Sequence, residues 1–173
     1  LVFKAEPNKT GKVRSTVVKL TVNGIAVAEI PFKQLPVATA VVVAPREVEL
    51  LIGSSVQLSA AVTPADADQT VTWTSQSYGS VDKTGKVIFN PEANNKYLAP
   101  GAVGNTFKVY ATTNATNEKG KQLVDSAMVK VTAIQVTEVT SPVELVKAKI
   151  GQKFALEYNV LPANASWKEV YFE

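Results

Sequence analysis

The stretch Gly53–Asp68 reads GSSVQLSAAVTPADAD, and a degenerate second copy, GQKFALEYNVLPANAS, follows at Gly151–Ser166. Four matching pairs keep one constant spacing of 98 positions: Gly53 with Gly151, Leu58 with Leu156, Val62 with Val160, and Pro64 with Pro162. A repeat of this period is typical of chains built from tandem domains. We therefore expect the last strands of a preceding unit plus a linker over residues 1–36, a complete unit over residues 37–134, and the first part of a following unit over residues 135–173.

Alternating apolar residues predict strands through most of the chain. Every second residue of Val56–Val62 is apolar, which is the spacing of a strand with one buried face. The alternation returns at Val71–Thr74 and at Thr106–Thr112, and helical periodicity is nearly absent. Short strands separated by turn residues favour an all-β sandwich of about 100 residues per unit.

The N-terminal region predicts a hairpin, but its place in the fold is open. Because Ser15–Thr21 is similar to Ser126–Thr132, residues 1–22 are expected to be the last hairpin of the preceding unit. Asn23-Gly24 then predicts a two-residue turn and a further strand. That strand either extends the first unit or belongs to the linker.

Composition excludes several classes of chemistry. The chain has no cysteine and no histidine, so an inter-sheet disulfide, Cys-His or Ser-His catalysis and most transition-metal sites are not expected. The net charge is only +3, and the lysines are scattered instead of forming a basic stripe with aromatic residues, so nucleic-acid binding is not expected. No run of 18 apolar residues occurs, so membrane insertion is not expected either.

A few residues are candidates for binding or for structural roles. Asp66 and Asp68 are two positions apart in a predicted loop and are calcium candidates, with solvated loop charge as the alternative. Trp73 is predicted to pack between the two sheets, with a surface platform for carbohydrate as the alternative; Tyr171 or Phe172 takes its place in the second copy. No catalytic residue and no other cofactor is predicted, because no phosphate loop or Ser-x-x-Lys motif beside an oxyanion element occurs.

Conformational roles are predicted for the repeated glycines and prolines. Gly53 and Gly151 are expected to have positive φ in turns between strands. Pro64 and Pro162 are expected to end strands, where a missing N–H removes an exposed edge donor.

The repeated motif resembles the group 2 bacterial immunoglobulin-like domain family. The matching residues are Gly53, Val56, Gln57, Leu58, Val62, Thr63, Pro64, Ala65, Val71, Trp73, Thr74 and Ser75. The resemblance implies tandem immunoglobulin-like Greek-key β-sandwiches, one complete and two partial, in a non-catalytic structural protein outside the bacterial cell. Within that class we expect a surface-layer (S-layer) lattice component in contact with neighbouring copies, other surface proteins, cell-wall polymer or glycan. The alternatives are an adhesin stalk, a carbohydrate-binding accessory module or a phage virion decoration domain.

Overall fold

The computed structural model describes residues 4–76, 79–89 and 103–166, together with residues 168 and 170. Over these residues the chain forms strands and no helix, which confirms the all-β prediction. The strands are β1 Arg14–Val22, β2 Ile25–Gln34, β3 Ala40–Ala44, β4 Glu47–Leu51, β5 Ser55–Gln57, β6 Ser59–Thr63, β7 Val71–Ser75, β8 Gly79–Val81, β9 Lys86–Phe89, β10 Thr106–Thr116, β11 Gln122–Thr132, β12 Glu138–Thr140 and β13 Asn159–Leu161.

Strands β3 to β11 build the two layers of a β-sandwich. One layer has the order β4-β11-β10-β7, in which β4 runs parallel to β11 and the other neighbours are antiparallel. In the opposite layer β3 pairs with β6, while β9 lies between β5 and β8. Each layer covers the apolar face of the other, as a two-layer fold requires.

The strand predicted over Val56–Val62 is divided in two at Leu58. β5, before Leu58, pairs with β9, whereas β6, after it, pairs with β3. Leu58 donates its N–H to the carbonyl of Gly85 at 2.9 Å, and its side chain is 1% exposed. The alternation predicted which face is buried. The change of partner depends on a turn more than 20 residues later, which the strand's own sequence does not encode.

The core lies between the layers and takes every second side chain of each strand. Its buried members are Val43, Leu50, Leu58, Val87, Phe89, Phe107, Val109, Ala111, Ala127, Val129 and Val131. A smaller cluster of Ala38, Val41, Val62 and Ala67 closes the end of the sandwich at which the chain enters. The loop that carries Asp66 and Asp68 is anchored in this second cluster through Ala67.

The first strand of the sandwich changes layers between β3 and β4, and Asp125 of β11 fastens the crossing point. One carboxylate oxygen accepts the N–H of Val43 at 2.8 Å, and both oxygens contact the Arg46 guanidinium at 3.2 Å. Partial burial alone raises the pKa of Asp125. The N–H groups of Val43 and Ser126, with the Arg46 charge, outweigh that effect and hold the pKa below its ordinary value.

Residues 14–34 form a separate two-stranded sheet of β1 and β2. Its turn lies at Asn23-Gly24, with φ of 51° and 79°, as predicted from the sequence. The prediction that residues 1–22 form a hairpin by themselves is wrong, because β1 pairs with β2 along its whole length. The similarity of Ser15–Thr21 to Ser126–Thr132 reflects strand composition and not a shared partner. β2 runs on to Gln34, so only residues 35–39 connect this hairpin to β3.

The second copy of the repeat pairs its strands in the register of the first. The partners are Ala40–Thr63 and Val41–Val62 in β3 and β6, and Glu138–Leu161 and Val139–Val160 in β12 and β13. Each of these positions in the second copy lies 98 residues after its counterpart. The sequence repeat is therefore also a repeat of backbone pairing.

Candidate functional site at the N-terminal joint

The segment before β1 folds back onto the connection between β2 and β3, and Asn8 holds the two together. The Asn8 side chain is 1% exposed. Its Nδ2 donates to the carbonyls of Lys12 and Gln34 at 2.7 and 3.1 Å, and its Oδ1 accepts the N–H and the hydroxyl of Thr10. The backbone carbonyl of Asn8 accepts the Val37 N–H at 2.9 Å. Both ends of this buried amide are thus satisfied, and the connection is fixed where it leaves β2.

The same connection is bonded to the sandwich at its other end. Ala38 donates its N–H to the carbonyl of Thr116, at the end of β10, at 2.9 Å. Thr39 donates its N–H and its hydroxyl to the carbonyl of Thr63, at 2.7 and 3.1 Å. The hairpin and the sandwich are therefore joined by a short connection with backbone hydrogen bonds on both sides, which we call the N-terminal joint.

An exposed ion pair and two open clefts lie around this joint. Lys9 Nζ lies 2.8 Å from a carboxylate oxygen of Glu118; their hydrogen bond, then their opposite charges, raise the pKa of Lys9 and lower that of Glu118. Both side chains are more than half exposed, so water and salt screen the pair. The clefts hold about 260 and 470 Å³. Asp68 lines the smaller cleft and Leu123 the larger.

Asp66 and Asp68, the calcium candidates, lie in the β6–β7 loop at this joint. The Oδ1 of Asp68 accepts the hydroxyl and the N–H of Thr70, at 2.7 and 2.9 Å, and these two bonds lower the pKa of Asp68. No group of three acidic side chains close enough to hold a metal ion occurs among the described residues. The loop therefore reaches the joint, but among the described residues no third acidic side chain comes close enough to complete a metal site with this pair, and calcium binding stays a prediction.

The corresponding loop of the second copy also contacts its preceding connection. Ser166, which is 98 positions after Asp68, donates its N–H to the carbonyl of Ile134 at 2.9 Å, and its Oγ accepts the Ile134 N–H at 3.0 Å. Thr137 donates its N–H to the carbonyl of Leu161 at 2.8 Å, in the manner of Thr39 and Thr63. The connections before β3 and before β12 thus share the bonds of Thr39 and Thr137. The Ser166–Ile134 pair differs, because Pro36 stands at the position of Ile134 in the first copy and has no N–H to donate.

Trp73 lies on β7, half-buried against the main core. Its ring covers the turn at Gly85, where an added Cβ would lie 2.9 Å from the ring and 2.6 Å from the carbonyl oxygen of Leu58. Gly85 also has a φ of 85°. The structure therefore places the Trp73 ring between a tight turn and the core. Tyr171 and Phe172, the predicted counterparts, lie outside the described residues.

The other repeat residues divide into a local set and a packing set. Gly53 and Gly151 have φ of 82° and 78°, as predicted. Pro64 and Pro162 follow directly after β6 and β13, so both end strands as predicted. The packing positions differ between the copies: Leu58 and Val62 are buried, Leu156 is 42% exposed, and Val160 is half-buried.

The sandwich matches a known protein family. The family model of the bacterial Ig-like domain (group 2) matches residues 37–124, about half of the chain. The chain belongs to this family. The match covers the sandwich from the connection before β3 into β11, including the β6–β7 loop and Trp73. No curated protein matches the chain.

Membership bears on activity and location. The family is one of non-enzymatic Ig-like domains, and its members occur in extracellular and surface proteins. Among the described residues no helix is long and apolar enough to cross a membrane. Family membership gives a structural or surface module as the class of this chain.

Sequence reasoning missed Asn8, the central residue of the joint. A signal for it was present, because Asn8-Lys9-Thr10 has the Asx-x-Thr pattern in which the side-chain oxygen accepts bonds from the residue two positions later. The same bonds recur from Thr70 to Asp68 and from Thr84 to Asp82. The pattern predicts the turn. The burial of Asn8 against the end of β2 depends on long-range packing that no local motif reports.

Proposed function

We propose that the chain is a section of a bacterial cell-surface protein built from tandem Ig-like modules, and that it serves as a structural component of an S-layer lattice. The observation that carries the tandem arrangement is the repeated register of β3–β6 and β12–β13, with matching bonds to the preceding connections. β2 and β11 support it further: they end at Gln34 and Thr132, 98 positions apart, and each is followed by a short connection to the next strand.

The uncovered hairpin also supports an array. One face of β1–β2 carries Leu20, Val22, Ile30 and Phe32, each more than 40% exposed, while Lys19 and Glu29 form an ion pair on the other face. An apolar sheet face is stable when a second layer covers it. We propose that the rest of a preceding module supplies that layer, which makes β1 and β2 its last two strands.

The short, bonded joint favours a defined angle between neighbouring modules. A connection fixed by Asn8 and by the bonds of Ala38 and Thr39 leaves little freedom for hinge motion. A lattice needs such fixed angles so that each copy meets its neighbours in the same way. An adhesin stalk needs them as well, and it is the second candidate on this observation. The partners proposed are other copies, other surface proteins, and wall polymer or glycan.

The test is negative-stain electron microscopy of the purified full-length parent protein, with and without added Ca²⁺. Ordered two-dimensional sheets support the lattice. Elongated single particles in both conditions overturn the lattice and favour the stalk. A hydrolase domain in the parent protein would favour the carbohydrate-binding accessory module, and a parent protein that belongs to a phage virion would favour the decoration domain. A melting temperature that is unchanged by chelation removes calcium at Asp66 and Asp68.

A further inference from the structure

Tension along the chain enters the sandwich through β3 and β4. It leaves through β11, which is the neighbour of β4 in its sheet. It arrives through the N-terminal joint and β3, crosses to β4, and leaves from the end of β11 at Thr132. A module of a tandem surface protein is pulled at its two chain ends, so the inference rests on the proposed function for the source of the tension. How the fold resists then depends on how β4 and β11 are paired.

β4 and β11 are parallel, and this orientation decides how a pull acts on them. Their register runs from Glu47 opposite Met128 to Leu51 opposite Thr132. The chain enters β4 beside Met128 and leaves β11 beside Leu51, so a pull on the chain ends draws the strands past each other along their axes. All the hydrogen bonds between them are then loaded at once. A pull across the strands at one end would load the same bonds one after another.

The hydrogen-bonded ladder extends beyond both ends of β4. Met128 donates its N–H to the carbonyl of Arg46 at 2.8 Å, and Ile52 donates its N–H to the carbonyl of Thr132 at 3.0 Å. Backbone groups at alternate residues of a strand point to the same side. The N–H of Val48 therefore points to β11. The N–H of Glu49 points away, to the open side of β4, which is the edge strand of its sheet.

Side chains support the same pair of strands on both faces. On the inner face Leu50 is fully buried and Val48 packs against the core. On the outer face Lys130 Nζ lies 3.2 Å from the carboxylate of Glu49. Upstream, the Asp125 carboxylate holds the crossing point between β3 and β4 to β11 itself, so load passes to the ladder while β4 stays aligned.

We propose that the parallel β4–β11 pair is the mechanical clamp of the module, the contact that bears tension along the chain and sets the force at which the sandwich unfolds. The pairing of β3 with β6 precedes it on the load path, and the remaining strands of the sandwich are loaded only after the clamp has failed.

Single-molecule force spectroscopy tests the clamp, and the absence of native cysteine lets thiol handles define the direction of pulling. In the full 173-residue chain, Ala40→Cys with Gln135→Cys loads β4 and β11 lengthwise. Glu47→Cys with Met128→Cys pulls the same two strands apart from one end. We expect a several-fold higher unfolding force in the first geometry, with equal melting temperatures for the two variants. Equal forces in the two geometries would overturn the proposal.

Proline substitutions locate the clamp within the strand. Val48→Pro removes an N–H that points to β11, whereas Glu49→Pro removes one that points to the open edge, and Val48→Ala controls for lost packing. In the lengthwise geometry Val48→Pro is expected to lower the unfolding force several-fold, and the two controls are expected to retain most of it. If Val48→Pro unfolds at the same force as the chain with Val48, the clamp is rejected. If Val48→Pro fails to fold, the comparison of pulling directions still decides.

Failure of the clamp in force spectroscopy can be distinguished from failure of the proposed function in electron microscopy. Dispersed particles in electron microscopy would remove the lattice and leave the dependence on pulling direction as predicted. Loss of that dependence would remove the clamp and leave the assignment to a structural surface protein as it stands.

Discussion

The two copies of the repeat have the same backbone pairing but differ in the burial of their large apolar side chains. β3–β6 and β12–β13 share one register, and Gly53 and Gly151 share one positive φ. Yet Leu58 is 1% exposed, whereas Leu156 is 42% exposed. The first copy lies against β10 and β11, and no covering layer lies over the second copy among the described residues. Strand pairing is therefore a property of the repeated stretch itself, while a core is a property of the two layers together.

The largest expected effect comes from separating the copies. A fragment of residues 37–134 contains both layers of the sandwich and is expected to unfold in one cooperative transition. A fragment of residues 135–173 contains strands with nothing to cover them and is expected to be unfolded, since two short strands alone are marginal in water. Circular dichroism with urea titration measures both. A cooperative transition in the second fragment would show that β12–β13 has a core of its own.

The leucine pair sharpens the same comparison within one chain. Leu58→Ala is expected to lower the free energy of unfolding by about 2–5 kcal/mol, because it leaves a cavity in a packed core. Leu156→Ala is expected to change it by less than about 0.5 kcal/mol, because a partly exposed side chain leaves no cavity. Urea denaturation of the two variants gives the difference. Similar losses at both positions would mean that Leu156 is covered in solution.

Trp73 distinguishes packing from binding in the first copy. Trp73→Ala is expected to cost about 3 kcal/mol, because the ring fills the space between the Gly85 turn and the core. Thermal melts measure the loss, and glycan binding by the same variant is the control. A neutral melt together with lost glycan binding would make Trp73 the surface platform that the sequence left as an alternative.

The sequence predicted the parts of this fold that depend on local patterns. The buried face of β6, the turn at Asn23-Gly24 and the positive φ of Gly53 follow from alternation or from a short motif. The division of the strand at Leu58 does not, because it needs the carbonyl of Gly85 as a partner. The predicted partner of β1 was also wrong, since similar strand compositions do not specify which strands pair.

The joint was harder to predict than the sandwich. Its central residue is a buried asparagine that binds the end of β2, 26 positions away in sequence. The Asx-x-Thr pattern marks a turn at Asn8, but the same pattern at Asp82 marks an exposed turn. Only packing distinguishes the two, and packing at a joint depends on both neighbouring units. The acidic pair at Asp66 and Asp68 was placed in a loop correctly, while its role remains a prediction.

Substitution of two glycines with nearly equal φ separates the cost of steric contact from the cost of backbone conformation. Gly85→Ala is expected to cost about 2–4 kcal/mol, because the new Cβ meets the Leu58 carbonyl and the Trp73 ring in addition to the strain of positive φ. Gly53→Ala has open space around the Cβ and is expected to cost about 1 kcal/mol from the backbone alone. Urea midpoints of both variants measure the gap. Equal costs would show that the turn at Gly85 moves to admit a side chain.

The smallest expected effect concerns the Asp125 carboxylate, which bonds to Val43 of β3 and to Arg46. No counterpart of these bonds is found on β12 in the described part of the chain. The pKa of Asp125 is lower in the folded than in the unfolded protein, so the folded state binds fewer protons there in acid. The stability that this carboxylate contributes is present at neutral pH and is lost as the pH falls below about 4. Asp125→Asn is therefore expected to cost about 1–2 kcal/mol at pH 7, and the difference from the native chain is expected to shrink in acid. Urea titrations of both proteins across this pH range measure the difference, in which the effects of Asp68 and Asp82 cancel. A gap that stays constant with pH would mean that the bonds to Val43 and Arg46 do not depend on the charge of Asp125.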